Sequence, residues 1–380
     1  MKNLPPLSLY IHVPWCVRKC PYCDFNSHEA GVTVPEAEYV QALLADMEQD
    51  LELVQGREVS TIFIGGGTPS LFSVAAYEEI FSGLRRQLNF SDDIEITLEA
   101  NPGTAEQEKF KGYRALGINR LSIGVQSFDD KQLKALGRIH GRAEALRAAD
   151  MARMAGFDNF NLDLMHGLPG QTVEEAVADL QQAIALQPTH ISWYQLTIEP
   201  NTVFYREPPV LPQDDILWSI QEAGQSCLAF SGYEQYEVSA YAEAGRECRH
   251  NRNYWEFGDY LAIGAGAHGK ITRADGVYRY AKTRLPRDYL AARESCRFTA
   301  TSGFISPEEL VFEFMLNALR LRDGVEAVLF ERRTGLSLSM IEKQLADLRS
   351  RELLVADKSR LKCTPVGFNY LNQVLKEFLV

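Results

Sequence analysis

The feature that most restricts this chain is an alternation in its first half: short runs of branched and aromatic residues, separated by stretches long enough for a helix. "LSLYIHV" (7–13), "TIFI" (61–64), "IEITLEA" (94–100), "RLSIGV" (120–125), "FNLDLM" (160–165) and "HISWYQL" (190–196) read as six strands. Between the first two, Val40, Leu43, Leu44, Met47, Leu51 and Val54 recur at helical spacing. Capping-box pairs at Thr104 with Gln107 and at Thr172 with Glu175 mark helix starts. Strands separated by helices call for parallel pairing through right-handed crossovers. Six strands fall short of the eight of a closed barrel, so the pattern favours an α/β fold built on an incomplete parallel (β/α)6-type barrel. An open doubly wound sheet is the rival, because periodicity does not separate the two.

Past residue 200 the rhythm changes. "EPPVLPQDD" is a proline-rich connection, 216–230 reads as a helix, and "YEQYEVSAYA" leans towards strand. Further on, Leu310, Phe314, Leu316 and Leu319 mark one apolar helix face. "MIEKQLADLRSRELL" is a second helix, "LLVADKSRLKCT" a hairpin and "PVGFNYLNQVLKEFL" a last helix, together a small α+β, winged-helix-like module. The expected division is 1–200 for the partial barrel, 201–300 for its extension and 301–380 for the module.

The net charge of -12 comes without any run of five or six basic residues, which argues against nucleic acid or an anionic membrane surface as a partner. No apolar run approaches the ~18 residues of a membrane span. The opening "MKNLPPLSLYIHVPWC" is interrupted by a proline pair and by His12, a poor secretory signal. Seven sparse cysteines do not suit a disulfide framework; the expectation is a cytoplasmic protein with reduced thiols.

Three of those seven cysteines fall within eight positions, in "CVRKCPYC" just after the first strand. Thiolates are soft ligands that suit iron–sulfur clusters or zinc. Cys16, Cys20 and Cys23 would leave one coordination position open, as chemistry at a metal requires. His12 is available as a fourth ligand, which would make a structural zinc site, and a chance cluster in a buried loop needs no metal at all.

The spacing C-x3-C-x2-C after a first strand resembles the signature of the radical S-adenosylmethionine (SAM) superfamily. "LSLYIHVPWCVRKCPYCDF", "TIFIGGGTPSL", "LEANPGT", "RLSIGVQSF", "LGRIHG" and "FNLDLMHGLPGQT" are similar to its oxygen-independent coproporphyrinogen III oxidase branch, and within it to the heme-chaperone subgroup. The resemblance implies a [4Fe-4S] cluster on Cys16, Cys20 and Cys23, with SAM on the open iron. It further implies that Gly66, Gly67 and Thr68 of "GGGTPS" hold the methionyl end of SAM. Glu99, Gln126, Asp163 and Arg138 would line the rest of that site, with Tyr10 and Tyr22 close to the cluster. From the residues alone, each has a plainer reading: the glycines as a tight turn, the acids as helix caps or lysine partners, Arg138 as a solvated helix-end cation.

The oxidase branch carries a further cysteine where this chain has Phe25, which puts coproporphyrinogen oxidation in doubt and leaves enzymatic activity open. "HNRNYW" is similar to a motif of the chaperone subgroup. Through it the resemblance implies heme binding by His250, with Tyr254 and Trp255 against the porphyrin face. Cys248 and His268 are alternative iron ligands, and a histidine among aromatics is commonly a satisfied core residue. The function so implied is a heme chaperone that passes heme to heme-requiring respiratory proteins at the membrane. It would be membrane-associated only through them, and a homodimer is compatible with that role. The alternative is radical-SAM oxidation of a porphyrinogen.

Overall fold

The computed structural model describes residues 4–31, 33–103 and 109–379. Among these, twelve strands form one sheet. They are β1 (Leu7–Val13), β2 (Val59–Gly66), β3 (Phe90–Ala100), β4 (Arg120–Gln126), β5 (Phe160–His166), β6 (His190–Gln195), β7 (Glu234–Glu237), β8 (Ala240–Ala242), β9 (Asp259–Ile263), β10 (His268–Arg273), β11 (Gly276–Lys282) and β12 (Thr299–Phe304). The first six are the strands read from sequence, with β3 reaching back to Phe90. Their spatial order is β12-β11-β10-β9-β1-β2-β3-β4-β5-β6-β8-β7.

That order decides between the two candidate architectures. From β1 to β6 every strand lies beside its predecessor and parallel to it. Right-handed crossovers then put all the helices on one face, whereas a doubly wound sheet needs the order to reverse. The helices follow in turn: α1 (Glu36–Gln49), α2 (Val74–Gln87), α3 (Phe110–Ala115), α4 (Asp130–Ala135), α5 (Arg142–Met154) and α6 (Val173–Ala185). The sheet has two ends, so the barrel is incomplete. A seventh parallel strand, β9, lies on the other side of β1. It escaped the sequence reading because "DYLAI" arrives after residue 200, where the regular alternation of strand and helix patterns is lost.

Each strand alternates. Leu9, Ile11, Ile62, Ile64, Ile96, Leu98, Leu121, Ile123, Leu162, Leu164 and Ile191 are buried in the main core together with the inner faces of the helices. Burying each such side chain contributes roughly 1.5–3 kcal/mol. The intervening residues Ser8, Thr61, Glu95, Thr97, Arg120, Ser122, Asn161 and His190 are buried and polar; Thr61 donates to Ser8, and Asn161 bonds both Ser122 and His190.

The helix expected over 40–54 stops at Asp50 and resumes as a short turn, Leu51–Val54. Asp50 instead pairs with buried Lys282 at 2.7 Å. The capping box at Thr172 and Glu175 is formed; the one expected at Thr104 and Gln107 lies outside the described residues. After β6 come α7 (Asp214–Phe230), α8 (Arg249–Trp255) and α9 (Pro286–Ser295).

The C-terminal module packs its own core around Phe314, Phe330, Leu345, Leu348 and Val374, joined by Phe257 from below the sheet. It begins with α10 (Pro307–Ala318), and α11 (Val328–Thr334) is a helix the sequence reading lacked. α12 (Glu342–Ser350) follows a 3-10 turn, Leu338–Ile341. Within the expected hairpin Leu354 bridges Cys363, while Arg360–Leu361 pairs with Val325–Glu326. The last helix is broken at Tyr370 into Pro365–Asn369 and Leu371–Lys376.

Candidate functional site

Two neighbouring cavities open at the carboxyl ends of β1 to β6. The smaller, about 270 Å³, gathers Cys16, Cys20 and Cys23 with Glu99, Arg138 and Asp163. The cysteine loop is pinned from several sides. A two-residue strand Trp15–Cys16 pairs with His28–Glu29, and the Lys19 ammonium donates to the carbonyls of Phe25 and Ser27. Ser27 Oγ lies 3.5 Å from Cys23 Sγ. Arg138 is no solvated cation: one Nη donates to Asn101 Oδ1 and the Gly124 carbonyl, both at 2.7 Å, and the other points at Cys20 Sγ at 3.6 Å. Its Nε is buried without a partner among the described residues.

The glycine turn at the end of β2 works differently from a donor nest. Gly66 has φ +120, and a Cβ there would lie 2.6 Å from the His12 ring, so only glycine fits. Gly66 N–H donates to Glu99 Oε2, Gly67 N–H to the Val13 carbonyl and Thr68 N–H to the Trp15 carbonyl. With these donors engaged, a ligand meets the carboxylates of Glu99 and Asp163, a setting for a cationic group. Burial first, then the nearby Asp163 charge, pushes the Glu99 carboxyl up to about 8. Burial also raises Asp163, against hydrogen bonds from Asn161 and Ser122. Gln126 closes the pocket at φ +71, a strained backbone for a non-glycine residue, where β4 slips register against β5. Its side chain accepts a hydrogen bond from Tyr194 at 2.7 Å.

The larger cavity, about 880 Å³, is walled by aromatics (Tyr10, Tyr254, Trp255, Tyr260) and by His268, Lys270, Arg279, Lys282 and Arg284. Phe25, Gly66 and Glu99 line both cavities. Phe25 is 62% exposed, so its ring is open to a guest. Most of the cations are already held: Lys270 by Asp259, Lys282 by Asp46 and Asp50, Arg279 by Glu313.

His250 does not line this cavity. It sits in α8, which plugs the concave interior and whose first N–H groups, at Arg249 and His250, are capped by Glu95. Thr61 donates to Ser8, so His250 Nδ1–H donates to Thr61 Oγ1 at 2.8 Å and Nε2 accepts from the Tyr254 hydroxyl at 2.7 Å. The ring is 0% exposed and held neutral by burial, its pKa lowered to about 3. Cys248 is equally buried, its thiol against Glu95.

Two family models match the chain: the Radical SAM superfamily over residues 10–183 and the HemN C-terminal domain over residues 305–369. The heme chaperone HemW of Escherichia coli (strain K12) is 52% identical over 380 residues, covering 100% of both chains. That of Haemophilus influenzae is 51% identical over 384 residues, covering 100% of this chain and 99% of its own. The chain belongs to the HemW family of radical SAM proteins. The HemW-family protein of Bacillus subtilis is 36% identical over 380 residues, 98% of this chain and 99% of its own. At the level of fold, a solved structure of coproporphyrinogen III oxidase (HemN) from Escherichia coli, described as a radical SAM enzyme, matches with a TM-score of 0.83 at 23% identity. That match covers 99% of this chain and 90% of the other.

Radical SAM membership implies a [4Fe-4S] cluster and SAM. The residues fit both groups. Three thiols share one pocket wall, and two buried acids and an incompletely partnered arginine face the same space. His12 does not join the thiols: Nε2–H donates to the Asn26 carbonyl and Nδ1 accepts from Tyr10. Among the described residues no three His, Cys, Asp or Glu side chains close on a single-ion site. Of the residues expected around SAM in this HemW-family chain, all but Tyr10 line the thiol pocket; Tyr10 lines the larger cavity. Asn101, Ser122 and Tyr194 also line the thiol pocket and were not anticipated. Their signal was register: Ser122 and Tyr194 occupy the polar positions of their strands, and Asn101 follows β3 directly. No helix among the described residues is long and apolar enough to cross a membrane.

Proposed function

We propose that this chain is a heme chaperone on a radical SAM scaffold, taking heme into the larger cavity and passing it to heme-requiring respiratory proteins. The observation that carries the reading is the shared wall of Phe25, Gly66 and Glu99 between a thiol-lined pocket and a cavity of about 880 Å³. A cavity of that size, lined by aromatic and cationic side chains together, suits a flat apolar macrocycle with anionic edge groups. Cys16, Cys20 and Cys23 would hold the [4Fe-4S] cluster, with Gly66, Gly67, Thr68, Glu99, Gln126, Arg138, Asp163 and Tyr22 around SAM. When bound, the cluster supplies electrons to SAM. Glu99 and Asp163 would attract the cationic end, and Arg138 would fix the anionic end beside Cys20. Tyr254 and Trp255 would flank the porphyrin, with His250 locking the Tyr254 hydroxyl. Phe25 supplies surface where a further thiol would supply chemistry.

The test is hemin titration of the anaerobically reconstituted protein, followed by transfer to a heme-free respiratory acceptor. Near-stoichiometric uptake and transfer are expected. Conversion of coproporphyrinogen to protoporphyrinogen in the presence of SAM and reductant would replace this reading with catalysis.

A further inference from the structure

All seven histidines lie among the described residues, and an axial ligand to iron needs a ring nitrogen whose lone pair is free and faces the ligand. Two of them, His12 and His268, line the larger cavity. Both nitrogens of His12 are engaged, by Tyr10 and by the Asn26 carbonyl. His190 and His250 are likewise doubly engaged and buried in the interior. His28, His140 and His166 do not line the cavity. Among the described residues His268 finds no hydrogen-bond partner for its ring, and it is exposed and lines the cavity.

Its surroundings are shaped for a flat partner. His268 opens β10 and faces Ala281 on β11, which in turn faces Thr301 on β12. These short side chains leave a shelf beside the imidazole, and Tyr254, Trp255 and Tyr260 line the same cavity. Arg284 lies just beyond β11, lines the same cavity, and makes no ion pair among the described residues, unlike Lys270, Lys282 and Arg279. A free cation at the edge of an aromatic cavity is placed for a carboxylate.

We propose that His268 is the axial ligand to heme iron and that Arg284 binds a heme propionate, with His250 acting through Tyr254 as a positioning residue. This deepens the heme-chaperone reading and rests on it. The ligand class is an iron tetrapyrrole bearing carboxylate side chains.

The experiment is anaerobic titration of hemin into the full-length reconstituted protein, read by the Soret band and by affinity. His268 is exposed, so its variants should fold. His268→Ala should lose the imidazole-type Soret position and bind at least tenfold more weakly, and added imidazole should restore the band. His268→Tyr should exchange it for a phenolate-type spectrum. Arg284→Ala should weaken hemin binding several-fold, with a smaller dependence on salt. If wild type takes up hemin while His268→Ala shows the same band and affinity, this inference is overturned and the chaperone reading stands. If wild type takes up no hemin, both fall.

Discussion

The two cavities share a wall but are built on opposite terms. The thiol pocket is lined by polar groups fixed at the ends of consecutive parallel strands, and nearly every donor there already has a protein partner. The larger cavity borrows its walls from late antiparallel strands, a seven-residue helix and the C-terminal module. It offers open aromatic surface with few uncommitted polar groups. The first is preorganised for a small charged ligand, where placement within fractions of an ångström matters. The second presents area and shape, so that a bulky guest can enter and leave. Holding one ligand firmly and releasing another is what a carrier with a resident cofactor requires.

The contrast can be broken most severely at the thiols. Replacing Cys16, Cys20 or Cys23 by Ala should reduce bound iron and sulfide to background after anaerobic reconstitution, while hemin uptake by the larger cavity persists. Loss of both together would show that the cavities are one site.

A smaller effect, with a definite sign in pH, is expected from Glu99→Gln. The Glu99 carboxyl titrates near 8 in the folded chain against an ordinary 4.5, so the folded state holds the proton more tightly. Stability contributed by this group is therefore full below about 4.5 and is lost as pH rises through about 8. The ligand-free Glu99→Gln variant should melt a few degrees higher than wild type at pH 9, and differ little at pH 4. Its SAM affinity, measured by calorimetry, should fall about tenfold. A variant that melts lower at pH 9 would mean that Glu99 is stabilised as the anion, and the strained-acid account of the pocket would be wrong.

The mildest change is Phe25→Ala. Hemin should dissociate about threefold faster, with iron content and SAM affinity unchanged. A loss of iron instead would place the ring in the service of the cluster loop.

Much of this was legible in the sequence because it is written locally. A strand that reads Leu-Ser-Leu-Tyr-Ile-His-Val declares both an apolar outer face and a polar inner one, and the thiol spacing lies within eight residues. What escaped depends on distant pairing. β9 was missed because its meaning lies in its partner, β1, and not in its own pattern. The "GAGAH" stretch reads as a tight turn, yet its tertiary role is to admit the cysteine loop: at Gly266, φ +76, a Cβ would strike the Asn26 side chain. His250 and His268 are both plausible from sequence. Only the fold shows one ring locked between Thr61 and Tyr254 and the other open to the cavity.

The adjacency of β1 and β9 sets a schedule for synthesis. Leu7 pairs with Asp259, so the first strand leaves the ribosome with one hydrogen-bonding edge bare until two-thirds of the chain has followed. Asn26, which ties the cysteine loop to the carbonyls of Ala265 and Arg284, waits longer still. The nascent half-protein thus carries its three thiols on a loop that still lacks its tie to the later strands, and iron delivered before those strands arrive would meet an unfinished socket.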